Sequence, residues 1–162
     1  MKAVTVSITL CLAVLVASVP VHAGNTCRMV QGNLDESLIY SNDPFGRVMG
    51  SVSGALAGSE TATRTSVIPG PTGLTFTTLN IFVINTGDLL VGTGVGASTL
   101  TSGGSVSWEL TLTVDPALST GRYAGATGTI NFQGTGDNAF GPGFGPGSTE
   151  FHAHYKGTLC RD

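Results

Sequence analysis

Apolar and polar residues alternate with a period of two through much of this chain. Trp108, Leu110, Leu112 and Val114 form one apolar face, and Ser107, Glu109, Thr111 and Thr113 form the opposite polar one. Successive side chains of a strand point to opposite faces, so this pattern predicts a half-buried strand. The same reading marks extended segments at 46–57, 60–68, 74–85, 88–98, 105–114, 121–133 and 148–159. The breaks between them include Gly58-Ser59, Pro69-Gly70-Pro71, Asn85-Thr86-Gly87-Asp88, Ser102-Gly103-Gly104 and Asp115-Pro116. These residues supply the positive or fixed φ of tight reversals. Short connections predict sequential, antiparallel pairing. The segment 28–42 admits three readings: an eighth strand, a short helix, or a lead-in crossing the base of a barrel.

Two patterns sharpen the fold class. Segment 74–85 is apolar on both faces towards its end, with Leu79, Ile81 and Val83 on one side and Phe82 and Ile84 on the other. Such a strand is covered on both sides or lies at a contact between subunits, so a homo-oligomer is one expectation. Glycines also recur inside strands, where they lower stability. Gly50, Gly54 and Gly58 share a face with Val48, Val52 and Leu56 in the first segment, and Gly92, Gly94 and Gly96 line one face of the fourth. Absent side chains permit strong coiling, which a small barrel needs in order to close. The alternative is a weak, flexible edge strand. The expectation is an all-β protein, a small closed antiparallel up-and-down β-barrel of about eight strands.

Composition agrees: 24 glycines with abundant Ser and Thr, and few runs of 3.6-residue period, disfavour helix. The beginning of the chain has a different character. A lone Lys2 precedes an apolar run over 3–19, and Val21-His22-Ala23 offers small residues where a signal peptidase reads. This predicts a secretory signal peptide over 1–23 and a single barrel domain over 24–162. A membrane anchor is the competing reading, but no basic stop-transfer cluster and no second long apolar run accompany it. Cys11 lies in the apolar run after the bulky Leu10 and leaves with the peptide. The exported protein is then extracellular or periplasmic, without a membrane anchor.

Cleavage leaves Cys27 and Cys160, near the two ends of the remaining chain. In an oxidising compartment a disulfide between them is expected, with two free buried thiols as the alternative. Closing a loop of more than a hundred residues stabilises a fold by roughly 4–5 kcal/mol on the chain-entropy model. It also requires the chain ends to meet, which a closed barrel provides. The cations Arg28, Arg47, Arg64, Arg122, Lys156 and Arg161 stand against ten carboxylates, a net charge of −4. They are scattered, so nucleic acid is not an expected partner.

The run Gly121-Arg122-Tyr123-Ala124-Gly125-Ala126-Thr127-Gly128-Thr129-Ile130 resembles the hallmark strand of the allene oxide cyclase and dirigent-like barrels. A Gly-studded first strand and a last strand ending in Tyr155-Lys156-Gly157 add to the resemblance. It implies an eight-stranded antiparallel barrel with an apolar interior, often assembled as dimers or trimers. Enzymes of that superfamily cyclise the epoxide of an oxidised fatty acid, and dirigent members steer phenoxy-radical coupling without oxidising anything. No catalytic residue of either branch can be placed position by position, so the activity does not transfer with the fold.

The candidate site residues each have a plainer role beside the functional one. Trp108 and Tyr123, read as mid-strand, either pack the core or line a ligand cavity. Phe140 and Phe144 lie in the near-repeat of the loop between Gly134 and Gly147. They either form an apolar lid at the barrel mouth or anchor the loop. Glu150, His152, His154 and Lys156 share one strand face. Two imidazoles at i and i+2 can share a zinc ion, but a solvated outer face accounts for the alternation and Lys156 opposes a cation, so no metal is expected. Glu109, among Ser and Thr, reads as an exposed strand residue. The chain has no Gly-x-Ser-x-Gly elbow, since valine holds the nucleophile position in Gly50-Ser51-Val52-Ser53-Gly54, and no phosphate-binding loop or cofactor motif. The expected function is a non-catalytic secreted barrel that binds a small hydrophobic ligand or a protein partner. The alternative is a cyclase or isomerase working on an oxidised lipid or phenolic substrate in the barrel cavity.

Overall fold

The computed structural model describes residues 26–39, 46–101, 105–137 and 150–161. Residues 1–23, where a signal peptide is expected, and Phe140 and Phe144 lie outside the described residues. Eight antiparallel strands close into a barrel in chain order: β1 (Thr26–Ile39), β2 (Arg47–Val52), β3 (Gly58–Pro69), β4 (Gly73–Ile84), β5 (Leu89–Leu100), β6 (Val106–Val114), β7 (Thr127–Asp137) and β8 (Glu150–Arg161). The ring shuts where β1 pairs with β8, from Thr26 opposite Arg161 to Ser37 opposite Glu150. Cys27 is directly opposite Cys160 in this ladder, and the two form a disulfide. No helix among the described residues is long and apolar enough to cross a membrane.

Alternation decides which residues point inward. On β6 the inward row is Val106, Trp108, Leu110, Leu112 and Val114, as its sequence pattern predicts. On β5 Gly92, Gly94 and Gly96 face inward, towards Leu112, Leu110 and Phe76. A side chain at any of them would strike these residues, so small and large positions interlock to fill a narrow barrel. Gly134 leaves room for the Trp108 indole in the same way, and Gly136 for the Phe151 ring. The centre is aromatic: Phe82 and Phe132 stack at 6.0 Å, and Phe132 meets Tyr155 at 5.6 Å.

The two ends of the barrel differ. At the base, where β1 begins and β8 ends, two 3-10 turns fold inward as plugs. The first, Gly54–Leu56, buries Leu56, whose N–H donates to the Tyr155 hydroxyl at 2.9 Å while that hydroxyl donates to the Ser53 carbonyl at 2.8 Å. The second, Gly121–Tyr123, buries the Tyr123 ring. At the opposite end, the rim, β1, β3, β5 and β7 finish and β2, β4, β6 and β8 begin.

One open reading is resolved and two expectations change. Segment 28–42 is a strand as far as Ile39 and supplies β1. The segment 46–57 is not one strand: β2 stops at Val52, Gly54 turns with φ 83°, and Gly58 belongs to β3, so only Gly50 shares a strand face with Val48 and Val52. Segment 121–133 becomes a strand only at Thr127, because positive φ at Gly121 and Gly125 keeps Tyr123 in a turn; Tyr123 is therefore a base plug and not a mid-strand residue. On β4, Leu79, Ile81 and Val83 form an outward row that is 36–45% exposed, so one chain alone does not cover them.

Unlinking the ring at its ends provides a direct check. Cys27→Ser with Cys160→Ser is expected to lower stability by about 4–5 kcal/mol, read from urea unfolding at matched pH, with β-sheet circular dichroism retained at low denaturant.

Candidate functional site

On the β1–β3 wall the interior stops being apolar. Glu36 on β1 and Glu60 on β3 both point inward and are register partners of the same residue, Gly50 of β2. A Cβ at Gly50 would meet the Asp35 carbonyl oxygen and the Glu36 Cα. Gly50 thus lets the strands approach and puts no side chain between the two carboxyls, which lie close enough for each to shift the other's pKa.

The surroundings extend this pair into a network. Asn80 of β4 donates from Nδ2 to Glu60 Oε1 at 2.8 Å, and Thr78 donates from its hydroxyl to Asn80 Oδ1 at 2.5 Å. All four residues are buried. Arg64, also inward-facing, lies with its guanidinium 5.8 Å from the Phe76 ring centre and favours the ionised form of Glu36. Glu60 Oε2 is buried and has no hydrogen-bond partner among the described residues.

Burial decides the charge state. Taking a carboxylate out of water disfavours its ionised form, and two adjacent carboxylates disfavour it further. Desolvation raises Glu36, opposed by its interaction with Glu60 and by Arg64; desolvation followed by repulsion from Glu36 raises Glu60 well above the ordinary carboxyl value. The pair therefore keeps a proton in a range where surface carboxyls have lost theirs. A protonated acid beside an ionised base is a pairing that can donate and accept hydrogen bonds at once, and can move a proton.

Next to Glu36 the interior turns aromatic. Its register partner on β8 is Phe151, which clusters with Leu38 and Val106 and meets Trp108 edge-on at 6.5 Å. Trp108 is half-buried, yet its indole Nε1 is enclosed and has no hydrogen-bond acceptor among the described residues.

The residues singled out in the sequence are divided between the two ends. Trp108 lies in the rim half, while Tyr123 lies at the base with a buried hydroxyl that has no partner among the described residues. The structure does not bring the two together. Phe140 and Phe144 fall in the sequence between β7 and β8 and lie outside the described residues. Glu150, His152 and His154 point outward and are exposed. His152 bonds through Nδ1 to Asp35 at 2.7 Å, an interaction that raises its pKa. Among the described residues no group of three side chains is arranged to hold a metal ion. Glu109 is exposed on the outer face of β6.

Sequence reading missed Glu36, Glu60, Thr78, Asn80 and Arg64. One signal was present: Thr78 and Asn80 share the inward row of β4 with Phe76, Phe82 and Ile84, and polar residues inside an apolar row imply buried hydrogen-bond partners. In comparisons with known proteins, no family model, curated protein or solved structure matches the chain.

The pair ties stability to pH with a definite sign. Its folded pKa values lie above the unfolded ones, so its contribution is fully present below the ordinary carboxyl range and is lost as pH rises through the folded values. Urea unfolding across that window is expected to show falling stability, and Glu60→Gln, which keeps the acceptor for Asn80 and cannot ionise, to flatten the slope. Glu60→Ala, which strands Asn80 and Glu36, is expected to lose about 2–3 kcal/mol at low pH.

Proposed function

We propose that this chain is an exported, non-catalytic barrel that binds a small, largely apolar molecule at its rim. The observation that carries this reading is a group of inward-facing side chains near the rim that stay only half-buried. Towards the base, Leu56, Leu90, Leu112 and Ile130 are wholly enclosed. Towards the rim, Val48, Val67, Leu74, Ser98 and Trp108 face inward and are only half-buried. Small-molecule sites are concave, mostly apolar and furnished with a few placed polar groups. The Trp108 Nε1, and the Glu36–Glu60 pair beyond Phe151, are groups of that kind. In this reading Phe140 and Phe144 cover the bound molecule from the β7–β8 loop. Export is supported by the signal-like segment and by the Cys27–Cys160 disulfide. Kinship with the allene oxide cyclase and dirigent-like barrels is supported by the Gly121–Ile130 motif and the eight-stranded closed topology.

The acid pair favours a second reading. A carboxyl group kept neutral beside an ionised one is suited to general acid–base work, as a cyclase or isomerase of an oxidised lipid or phenolic substrate requires. The two readings part at Glu60: a binder keeps its ligand unchanged, and an enzyme returns product that Glu60→Gln abolishes while binding survives.

Trp108 is the only tryptophan, so its fluorescence reports the rim alone. Adding neutral lipid or phenolic probes to the mature protein is expected to shift its emission saturably. Phe140→Ala with Phe144→Ala is expected to weaken that binding about tenfold. Mass spectrometry of protein purified from its natural secretion is expected to find a co-purifying apolar molecule. A tryptophan signal indifferent to every such probe, or an affinity unchanged in the double variant, contradicts the rim site.

A further inference from the structure

The base of the barrel carries a concavity of about 380 Å³, separated from the rim by the packed aromatic core. Its lining comes from the last inward-facing positions of the two strands that close the ring. Thr26 and Arg28 of β1 alternate inward, as do Leu159 and Arg161 of β8, and in the ladder Thr26 is opposite Arg161 and Arg28 opposite Leu159. Tyr123 and Ala126 form the floor.

Arg28 and Arg161 occupy the last inward-facing positions of their strands and are exposed at the base of the barrel, so both guanidinium groups border the pocket and water at once. Arg28 lies over the Tyr123 ring, 5.7 Å from its centre, and Arg161 donates from Nη1 to the Arg122 carbonyl at 2.8 Å. Both contacts hold a guanidinium in place and leave its charge intact. The third arginine at this end is different: Arg122 pairs with Asp88 at 3.2 Å. Among the described residues no carboxylate pairs with Arg28 or Arg161. The pocket thus has two positive charges at its edge that no described carboxylate offsets, on a protein whose net charge is negative, and an apolar floor of Leu159, Ala126 and the buried Tyr123 ring.

We propose that this base pocket binds a small organic anion, its oxyanion held between Arg28 and Arg161 and its apolar body resting on Leu159, Ala126 and Tyr123. Planar, multiply donating guanidinium groups suit carboxylate and phosphate oxygens. The volume lies in the range of small-molecule sites. Carboxylates and phosphate esters share the recognising chemistry. The site is independent of the rim: it uses the other end of the barrel and none of the same residues.

The test is a ¹⁵N–¹H NMR titration of the mature, oxidised protein at low salt with benzoate, phenyl phosphate, inorganic sulfate and benzyl alcohol. Benzoate or phenyl phosphate is expected to shift the side-chain Nε–H signals of Arg28 and Arg161 and the backbone signals of Ala126 and Leu159 saturably. Whichever binds more tightly identifies the anion as carboxylate or phosphate ester. Benzyl alcohol is expected to leave those signals in place. Arg28→Gln and Arg161→Gln are each expected to weaken binding about tenfold, and Arg47→Gln, near the rim, to leave it unchanged. The proposal is overturned if neither organic anion produces a saturable shift, if sulfate binds as tightly as the organic anions, or if Arg47→Gln weakens binding as much as the base variants. The four-probe comparison uses the unsubstituted protein, so it decides the matter even where a variant does not fold.

Discussion

The ladder between β1 and β8 makes a ring of what would otherwise be an open sheet, and the rest of the structure depends on it. An open eight-stranded sheet has two edges with unpaired N–H and C=O groups, whereas pairing from Thr26–Arg161 to Ser37–Glu150 removes both. Closure at this small strand number forces strong curvature, and curvature dictates the alternation of glycine with large residues inside. Gly134 beneath Trp108, Gly136 beside Phe151 and Gly50 between Glu36 and Glu60 are consequences of a narrow interior in which bulky neighbours cannot all be accommodated. The disulfide sits within this same closing ladder and holds the ends of β1 and β8 together.

Much of this architecture is legible in the sequence, and the exceptions have physical causes. The strand of Trp108 to Val114 is plain because every inward residue is apolar and every outward one polar. β1 is ambiguous because Val30, Leu34 and Leu38 recur every fourth residue, a helix-like spacing. The inward positions between them are Gly32, emptied for the Tyr155 ring, and Glu36, half of the acid pair. Functional and packing demands erase the period-two signal there. An extended reading of a glycine-rich string starts β7 too early because it does not reveal the positive φ of Gly121 and Gly125. The acid pair is hidden for a related reason: β3 alternates Glu60, Ala62 and Arg64 with Thr61 and Thr63, so neither of its faces looks like an interior.

The barrel emerges as a scaffold with chemically opposed ends. At one lie a half-open aromatic rim and, along its wall, a carboxyl pair whose charge burial suppresses. At the other lie two inward arginines over a sealed tyrosine plug. The aromatic core of Phe82, Phe132 and Tyr155 separates them. A ring with no edges can tolerate such departures from an apolar interior because its backbone bonds are satisfied independently of what fills it. The same independence explains how one barrel topology can host unrelated functions.

Closure is the claim to test most directly, and cross-strand nuclear Overhauser contacts between β1 and β8 in the oxidised protein do so. The account predicts contacts between facing residues along the whole ladder, including Gln31 with Lys156 and Asp35 with His152, together with slow amide exchange on both strands. A β1 that contacts β2 alone, with β8 amides exchanging as a free edge, would contradict it.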